Sequence, residues 1–250
     1  MELVDTHCHL YSDPLGLDPD AVLRRARAAG VSRVVVPAYD LASWEGVQEL
    51  GARDGTYAAF GLHPWVADEP LDLEALRDIL TRCNAVAVGE IGLDTRIERP
   101  DLETQVRILA AQLRLARSVG LPVILHCRGA FEELLDLLRE IGPPWHGVVH
   151  AFSRGTELAE RFLDLGLHLA FGGAVTRPGS RAKSTAALVP DDRILLETDA
   201  PSIGLLGVPA EQSEPRHVLD VANSLAQIRG VDLETIAEIT TRNARGLFRI

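Results

Sequence analysis

The chain has 250 residues, a formal net charge of −11 and a hydrophobic content of 46%. Such a length suits one large domain across residues 1–250, and the apolar share supplies a sizeable core, which excludes general disorder. The negative charge excludes a broad nucleic-acid footprint, because wide phosphate contact needs clustered positive charge.

Strand-like and helix-like segments alternate from end to end. Leu3–His7 reads as a strand, and Asp18–Ala29 as a helix with Asp18 as N-cap and Pro19 in its first turn. Arg33–Pro37 is an apolar strand, Ala42–Arg53 a helix, and Thr56–Phe60 a strand leading into Gly61-Leu62-His63-Pro64. Asp72–Arg82 is a helix, Ala85–Gly89 a strand carrying Glu90 at its end, and Asp101–Val119 a long amphipathic helix closed by Gly120. Pro122–Leu125 is a strand ending in His126, Gly129–Ile141 a helix, and Gly147–Val149 a strand ending in His150. Thr156–Leu165 is a helix, Leu167–Phe171 a strand, Arg181–Leu188 a short helix, and Arg193–Leu196 the last strand, running into Glu197-Thr198-Asp199. Helices near Glu214–Arg229 and Leu233–Gly246 finish the chain. Continuous Val, Ile and Leu runs are expected of strands covered by helices on both faces. About eight such strands with intervening helices make the pattern of an α/β TIM barrel, (β/α)8, whose active site lies at its C-terminal rim.

No apolar run reaches the length of a membrane span, and Met1-Glu2-Leu3-Val4-Asp5 enters a strand without a basic or apolar leader. The expectation is a cytoplasmic protein with no membrane role and no obligate protein partner. Cys8, Cys83 and Cys127 have neither zinc-finger nor redox spacing and read as reduced, buried thiols. Cys8 and Cys127 each follow a histidine on a strand and should face the helix layer.

The chemistry sits where the apolar strands end. His7 and His9, two apart on a strand, point the same way, and imidazole suits zinc and similar divalent ions. Asp5 precedes them and is placed to orient a ligand. Glu90 follows Val86-Ala87-Val88-Gly89, where a carboxylate is costly unless paired or bound to a cation. His126, His150 and Asp199 repeat the device on later strands. Singly, each has a bland account, such as a satisfied core histidine or a capping carboxylate. Jointly they point to two divalent metal ions. Glu90 would bridge them, His7, His9 and Asp199 would complete one site, and His126 with His150 the other. Paired ions ~4 Å apart serve phosphatases and nucleases, and such ions acidify water, whose proton Asp199 could accept as general base. The only lysine, Lys183, lies in a polar segment, which leaves the bridging role to Glu90.

Taken in order, these segments are distinctive: Asp5-Thr6-His7-Cys8-His9, Gly61-Leu62-His63-Pro64, Gly89-Glu90-Ile91-Gly92-Leu93-Asp94, Leu121–Arg128, His150-Ala151-Phe152-Ser153, Glu197–Pro201 and Thr241–Phe248. Across essentially its whole length the chain closely resembles the TatD family of metal-dependent hydrolases. The resemblance implies a TIM barrel, dependence on magnesium, manganese or zinc, and phosphodiester hydrolysis, commonly as a 3′–5′ exonuclease on DNA or RNA. It also implies His7, His9, Glu90, His126, His150 and Asp199 as metal ligands, with His63 and Arg128 near the substrate phosphate. The substrate loops depart from the family pattern. Arg154 replaces a usual glycine, Thr95 a usual aromatic, and Gln212-Ser213-Glu214-Pro215 lacks a usual arginine.

The first reading is thus a metal-dependent nuclease acting on nucleic-acid ends. A second is a hydrolase of another bond, an aminoacyl-tRNA deacylase or an amidohydrolase on a small substrate, since the same ligand set could serve attack on a carbonyl. A third is a non-catalytic binding barrel, against which stands the presence of every ligand type. Arg154 reads as a solvated helix-start arginine or as a substitute for the missing cation. Trp65 could stack a base or pack on the rim, and His217 could reach the rim. His146 and His168 read as surface or structural groups.

Overall fold

Eight short apolar segments pair side by side, all parallel and in chain order, because a helix returns the chain to the same edge after each strand. The computed structural model describes residues 1–12 and 16–250. The elements are β1 (Leu3–Asp5), α1 (Pro19–Ala28), β2 (Val31–Pro37), α2 (Ser43–Gly51), β3 (Thr56–Phe60), α3 (Leu73–Arg82), β4 (Ala87–Asp94), α4 (Leu102–Val119) and β5 (Val123–Arg128). Then follow α5 (Phe131–Ile141), β6 (Gly147–Val149), α6 (Thr156–Leu163), β7 (His168–Phe171), α7 (Arg181–Leu188), β8 (Ile194–Leu196), α8 (Val218–Arg229) and α9 (Leu233–Phe248). The first and last strands are joined by main-chain bonds just beyond them: Thr6 N–H to Leu196 O (3.0 Å), Asp199 N–H to His7 O (2.9 Å) and His9 N–H to Ala200 O (2.8 Å). The fold is a TIM barrel, as the alternation of elements implies.

The core has two layers. Each strand sends one residue, such as Val4, Val35, Ile124 or Leu195, into an inner cluster that Ala244, Leu247 and Phe248 of α9 plug from below. The alternate strand residues, such as Val36, Phe60, Leu125 and Phe171, pack outwards against helix residues such as Leu76, Leu134 and Phe162. Each large apolar side chain buried this way contributes about 1.5–3 kcal/mol. Aspartates cap helix starts: Asp18, Asp72, Asp101 and Asp232 accept main-chain N–H groups of α1, α3, α4 and α9.

Two segments differ most from expectation. The strand expected to stop at Gly89 runs on to Asp94, because residues 91–94 pair with residues 125–128 of β5 after a register shift between Val88 and Ile91. Glu90 therefore lies in a bulge within β4 rather than at its end, and bulges re-aim side chains. The helix expected from Glu214 begins at Val218, preceded by a 3-10 turn over Pro215–His217 in which the His217 ring accepts the Glu214 N–H at 2.9 Å. No helix among the described residues is long and apolar enough to cross a membrane.

Candidate metal centre

His7 and His9 leave β1 towards the barrel mouth, while Cys8 between them is 1% exposed in the outer core, as strand alternation requires. Asp199 stands just past β8 in the left-handed region, at φ 53°. Aspartate is among the residues that tolerate this region. Asp5 holds the loop there: its Oδ1 accepts the Thr198 N–H at 2.9 Å, and its Oδ2 accepts from the Thr198 hydroxyl at 2.5 Å. Asp5 thus orients the chain leading to Asp199, and it accepts the His7 N–H at 3.3 Å.

Glu90 is the hub. Its Oε2 lies 3.1 Å from His7 Nε2 and 3.3 Å from His9 Nε2, and Asp199 Oδ1 stands 3.8 and 3.5 Å from those same nitrogens. Its Oε1 faces a different set: His150 Nε2 at 2.8 Å, His126 Nδ1 at 3.0 Å and His63 Nε2 at 3.3 Å. Three overlapping groups could hold a cation: His7, His150 and Asp199; His7, His9 and Glu90; and His63, Glu90 and His126. The residues expected at the strand ends are brought together, and His63 joins them.

Hydrogen bonding outside the cluster determines which ring nitrogens face inwards. His9 Nδ1 lies 3.2 Å from the Pro37 carbonyl, which can only accept, and 3.0 Å from the Tyr11 hydroxyl, which can do either, so a hydrogen on Nδ1 suits both neighbours. His126 Nε2 lies 3.3 Å from Asp94 Oδ2 and donates to it. In their neutral forms His9 Nε2 and His126 Nδ1 therefore turn lone pairs towards the Glu90 oxygens, so acceptor faces acceptor unless positive charge stands between them. Although burial opposes charge on both rings, Glu90 shifts both upward. Carboxylate or carbonyl partners on the outer nitrogen are a recurrent feature of metal-ligating histidines.

Protons alone serve this cluster poorly. Burial opposes charge on His150, yet Glu90 pushes it up to about 10; burial and the His150 charge hold His7 well below its ordinary value, with the two rings stacked at 4.1 Å. Burial lowers His63 to about 4. Burial alone would raise Glu90, but the surrounding imidazoles of His150, His63 and His7 hold it well below the usual carboxylate range. Asp199 is raised by burial, and its buried Oδ1 has no hydrogen-bond partner among the described residues. Imidazole nitrogens, two carboxylates and an unpartnered buried oxygen form a donor set that fits divalent cations.

Above the cluster is a pocket of 420 Å³, lined among others by Trp65, Arg128, Phe131, Ser153 and Arg154. Arg128 is 53% exposed, 3.8 Å from Asp94 Oδ2. Trp65 donates its indole N–H to Asp94 Oδ2 at 2.6 Å, which fixes the ring at the rim. Arg154 is half-buried with its guanidinium 4.9 Å from the centre of the Phe131 ring, rather than free in solvent. Cys127 packs against the outer core yet also lines this pocket. His217 is tied into its own turn and does not line it.

Three groups had no role in the sequence reading. Asp94 gathers the Trp65, His126 and Arg96 N–H contacts, and these hold it at about 2 although burial alone would raise it. Gln105 and Gln112 of α4, both buried, bind main-chain atoms beside the site. Their seven-residue spacing on one helix face was the available signal.

Fold and site together define a class: a metal-dependent hydrolase built on a TIM barrel. The family profile described as TatD related DNase matches residues 4–249, and the chain belongs to that family. It is 38% identical over 253 residues to YjjV of Escherichia coli (strain K12), described as an uncharacterized metal-dependent hydrolase, covering 99% of this chain and 98% of that protein. The crystal structure of YjjV, described as a TatD homolog, matches with a TM-score of 0.93 over 99% of this chain and 98% of that one. A protein of Erwinia amylovora named 3′-5′ ssDNA/RNA exonuclease TatD is 32% identical over 261 residues, 98% of this chain and 99% of that protein.

Proposed function

We propose that the chain hydrolyses phosphodiester bonds at the ends of single-stranded DNA or RNA, working 3′ to 5′ with a pair of divalent ions, magnesium, manganese or zinc. The observation that carries this is the division of Glu90, whose two oxygens face two different sets of imidazoles. His7, His9 and Asp199 with Oε2 would hold one ion, and His126 and His150 with Oε1 the other. When bound, such ions polarise the phosphoryl oxygens and lower the pKa of water towards neutrality.

The chain's own residues supply the rest. Asp199 accepts the proton of the attacking water as general base. His63 suits a substrate contact better than a cation: its Nδ1 accepts the Trp65 N–H at 3.2 Å, so in the neutral ring Nε2 carries the hydrogen. That hydrogen faces Glu90 Oε1 at 3.3 Å and would pass to a phosphate oxygen once Glu90 is committed to the ions. Arg128 at the mouth offers a planar fork for the same phosphate. Trp65, 42% exposed, presents a face on which a terminal base can stack. A pocket of 420 Å³ suits a nucleotide rather than a duplex, and the net charge of −11 fits capture of an end rather than a long strand. The name of the Erwinia amylovora relative supports this substrate class.

The test is incubation of purified protein and manganese or magnesium with 5′-labelled single-stranded DNA and RNA, beside acyl esters and cyclic amides. Stepwise shortening from the 3′ end, lost in Glu90→Gln, is the expected result. Untouched nucleic acid alongside a hydrolysed ester or amide would overturn the proposal.

A further inference from the structure

A larger hollow lies at the opposite end of the barrel. It measures 710 Å³ and is bounded by residues entering β5, β6, β7 and β8 and by the end of α9. Arg117, Arg193, Arg242 and Arg249 line it with His146 and His168, and among the described residues Asp192 is its one acidic wall residue. In a chain of net charge −11 this is a local reversal of sign.

Much of this positive charge is uncommitted. Arg117 donates to Ile141 O at 2.9 Å and lies 4.7 Å from the Trp145 ring centre, and Arg193 lies 3.6 Å from Asp192. Arg242 and Arg249 are exposed and make no ion pair or side-chain hydrogen bond with any described residue. Arg242 and Gly246 lie one turn apart on α9, and Arg249 is the left-handed residue that follows its end, at φ 57°. A Cβ at Gly246 would meet nothing within 4 Å. Glycine inside a helix costs about 1 kcal/mol relative to alanine; here it adds no side chain to the wall of the hollow. Leu121, Pro122 and Leu247 supply an apolar floor.

We propose that this hollow binds a nucleotide-sized polyphosphate, its phosphates on Arg242 and Arg249 and its base on the apolar floor. Arginine forks match phosphate oxygens two at a time, and the volume lies within the ~300–1,000 Å³ typical of small-ligand sites. The site is separate from the metal centre and does not depend on which bond that centre hydrolyses.

Calorimetric titration of the full chain with pyrophosphate and with adenosine triphosphate tests this, in chelator and at about 0.15 M salt, where diffuse surface attraction is screened. Saturable binding of both probes is expected, tighter for the triphosphate, unchanged in Glu90→Gln and at least about tenfold weaker in an R242E/R249E double variant. The single substitutions Arg242→Ala and Arg249→Ala repeat the test should the double variant unfold, each with a several-fold loss. Equal binding in these variants, loss in Arg128→Ala instead, or binding of a single-stranded oligonucleotide but of neither probe would overturn the proposal.

Discussion

Gln112 grips the main chain of Leu62 with both ends of its amide: Oε1 accepts the Leu62 N–H at 2.8 Å, and Nε2 donates to the Leu62 carbonyl at 3.1 Å. Two helical turns earlier, Gln105 does the same for Asp94, accepting its N–H at 2.8 Å and donating to its carbonyl at 3.1 Å. α4, which carries no candidate ligand, thus holds the residue before His63 and the residue behind His126. Truncating Gln112 to alanine leaves two buried main-chain groups unpaired, at about 1–3 kcal/mol each. We expect Gln112→Ala to lower the urea midpoint by an amount equivalent to about 2–4 kcal/mol with the slope unchanged. A loss below about 0.5 kcal/mol, the range of ordinary surface changes, would show the grip to be dispensable.

Asp94 sits behind the candidate metal centre, 3.3 Å from His126 Nε2. In Asp94→Asn the indole and imidazole lose a charged acceptor while the volume is kept. Outer partners of ligand histidines are typically worth about 10–100-fold in metal affinity or activity. Hydrolysis with manganese should fall in that range, with the melting temperature of the metal-free protein changing little. Wild-type turnover and metal affinity in this variant would remove Asp94 from the machinery.

Gly92 is the point of closest approach between β4 and β5, where an added Cβ would overlap the His126 carbonyl oxygen. Overpacking of this kind costs about 1–3 kcal/mol. Gly92→Ala should lose that much stability and displace His126, so that metal content drops together with the denaturation midpoint. Gly246→Ala, placed in open space, should change neither metal content nor hydrolysis. Equal behaviour of the two variants would contradict this account.

Acid should weaken the helix caps in a predictable window. The Thr104 main-chain N–H holds the Asp101 carboxyl below its ordinary 3.8, and hydrogen bonds from the Thr235 side chain and main chain do the same for Asp232. A carboxyl whose folded-state value lies below its unfolded one stabilises the fold above that ordinary value and loses the contribution as pH falls through the lowered one. Asparagine caps about equally well but does not titrate. As pH falls below the ordinary 3.8, a D101N/D232N variant should lose less stability than the unsubstituted chain. Identical acid profiles would show that these caps do not titrate in the way described.

Local sequence determined the parts. Apolar runs separated by capped helices require covered parallel strands, and the limits of β3, β6 and α7 follow directly from composition because their flanking residues break the pattern. His7, His9, Glu90, His126, His150 and Asp199 stand out jointly, because carboxylates beside apolar strands are costly unless paired or bound to a cation, and imidazoles recur at the same strand ends. Pairing across the ring decided the rest. β4 extends to Asp94 because β5 offers partners as far as Arg128, and no feature of residues 85–94 alone carries that information. Gln105 and Gln112 read as ordinary polar positions on an amphipathic helix until Asp94 and Leu62 are laid against them. The division of Glu90 between two histidine sets, over 83 residues to His7 and 36 to His126, exists only once the barrel closes. Periodicity and burial cost act on neighbours in the chain, whereas the direction in which a carboxylate oxygen points depends on strands that meet only in the folded ring.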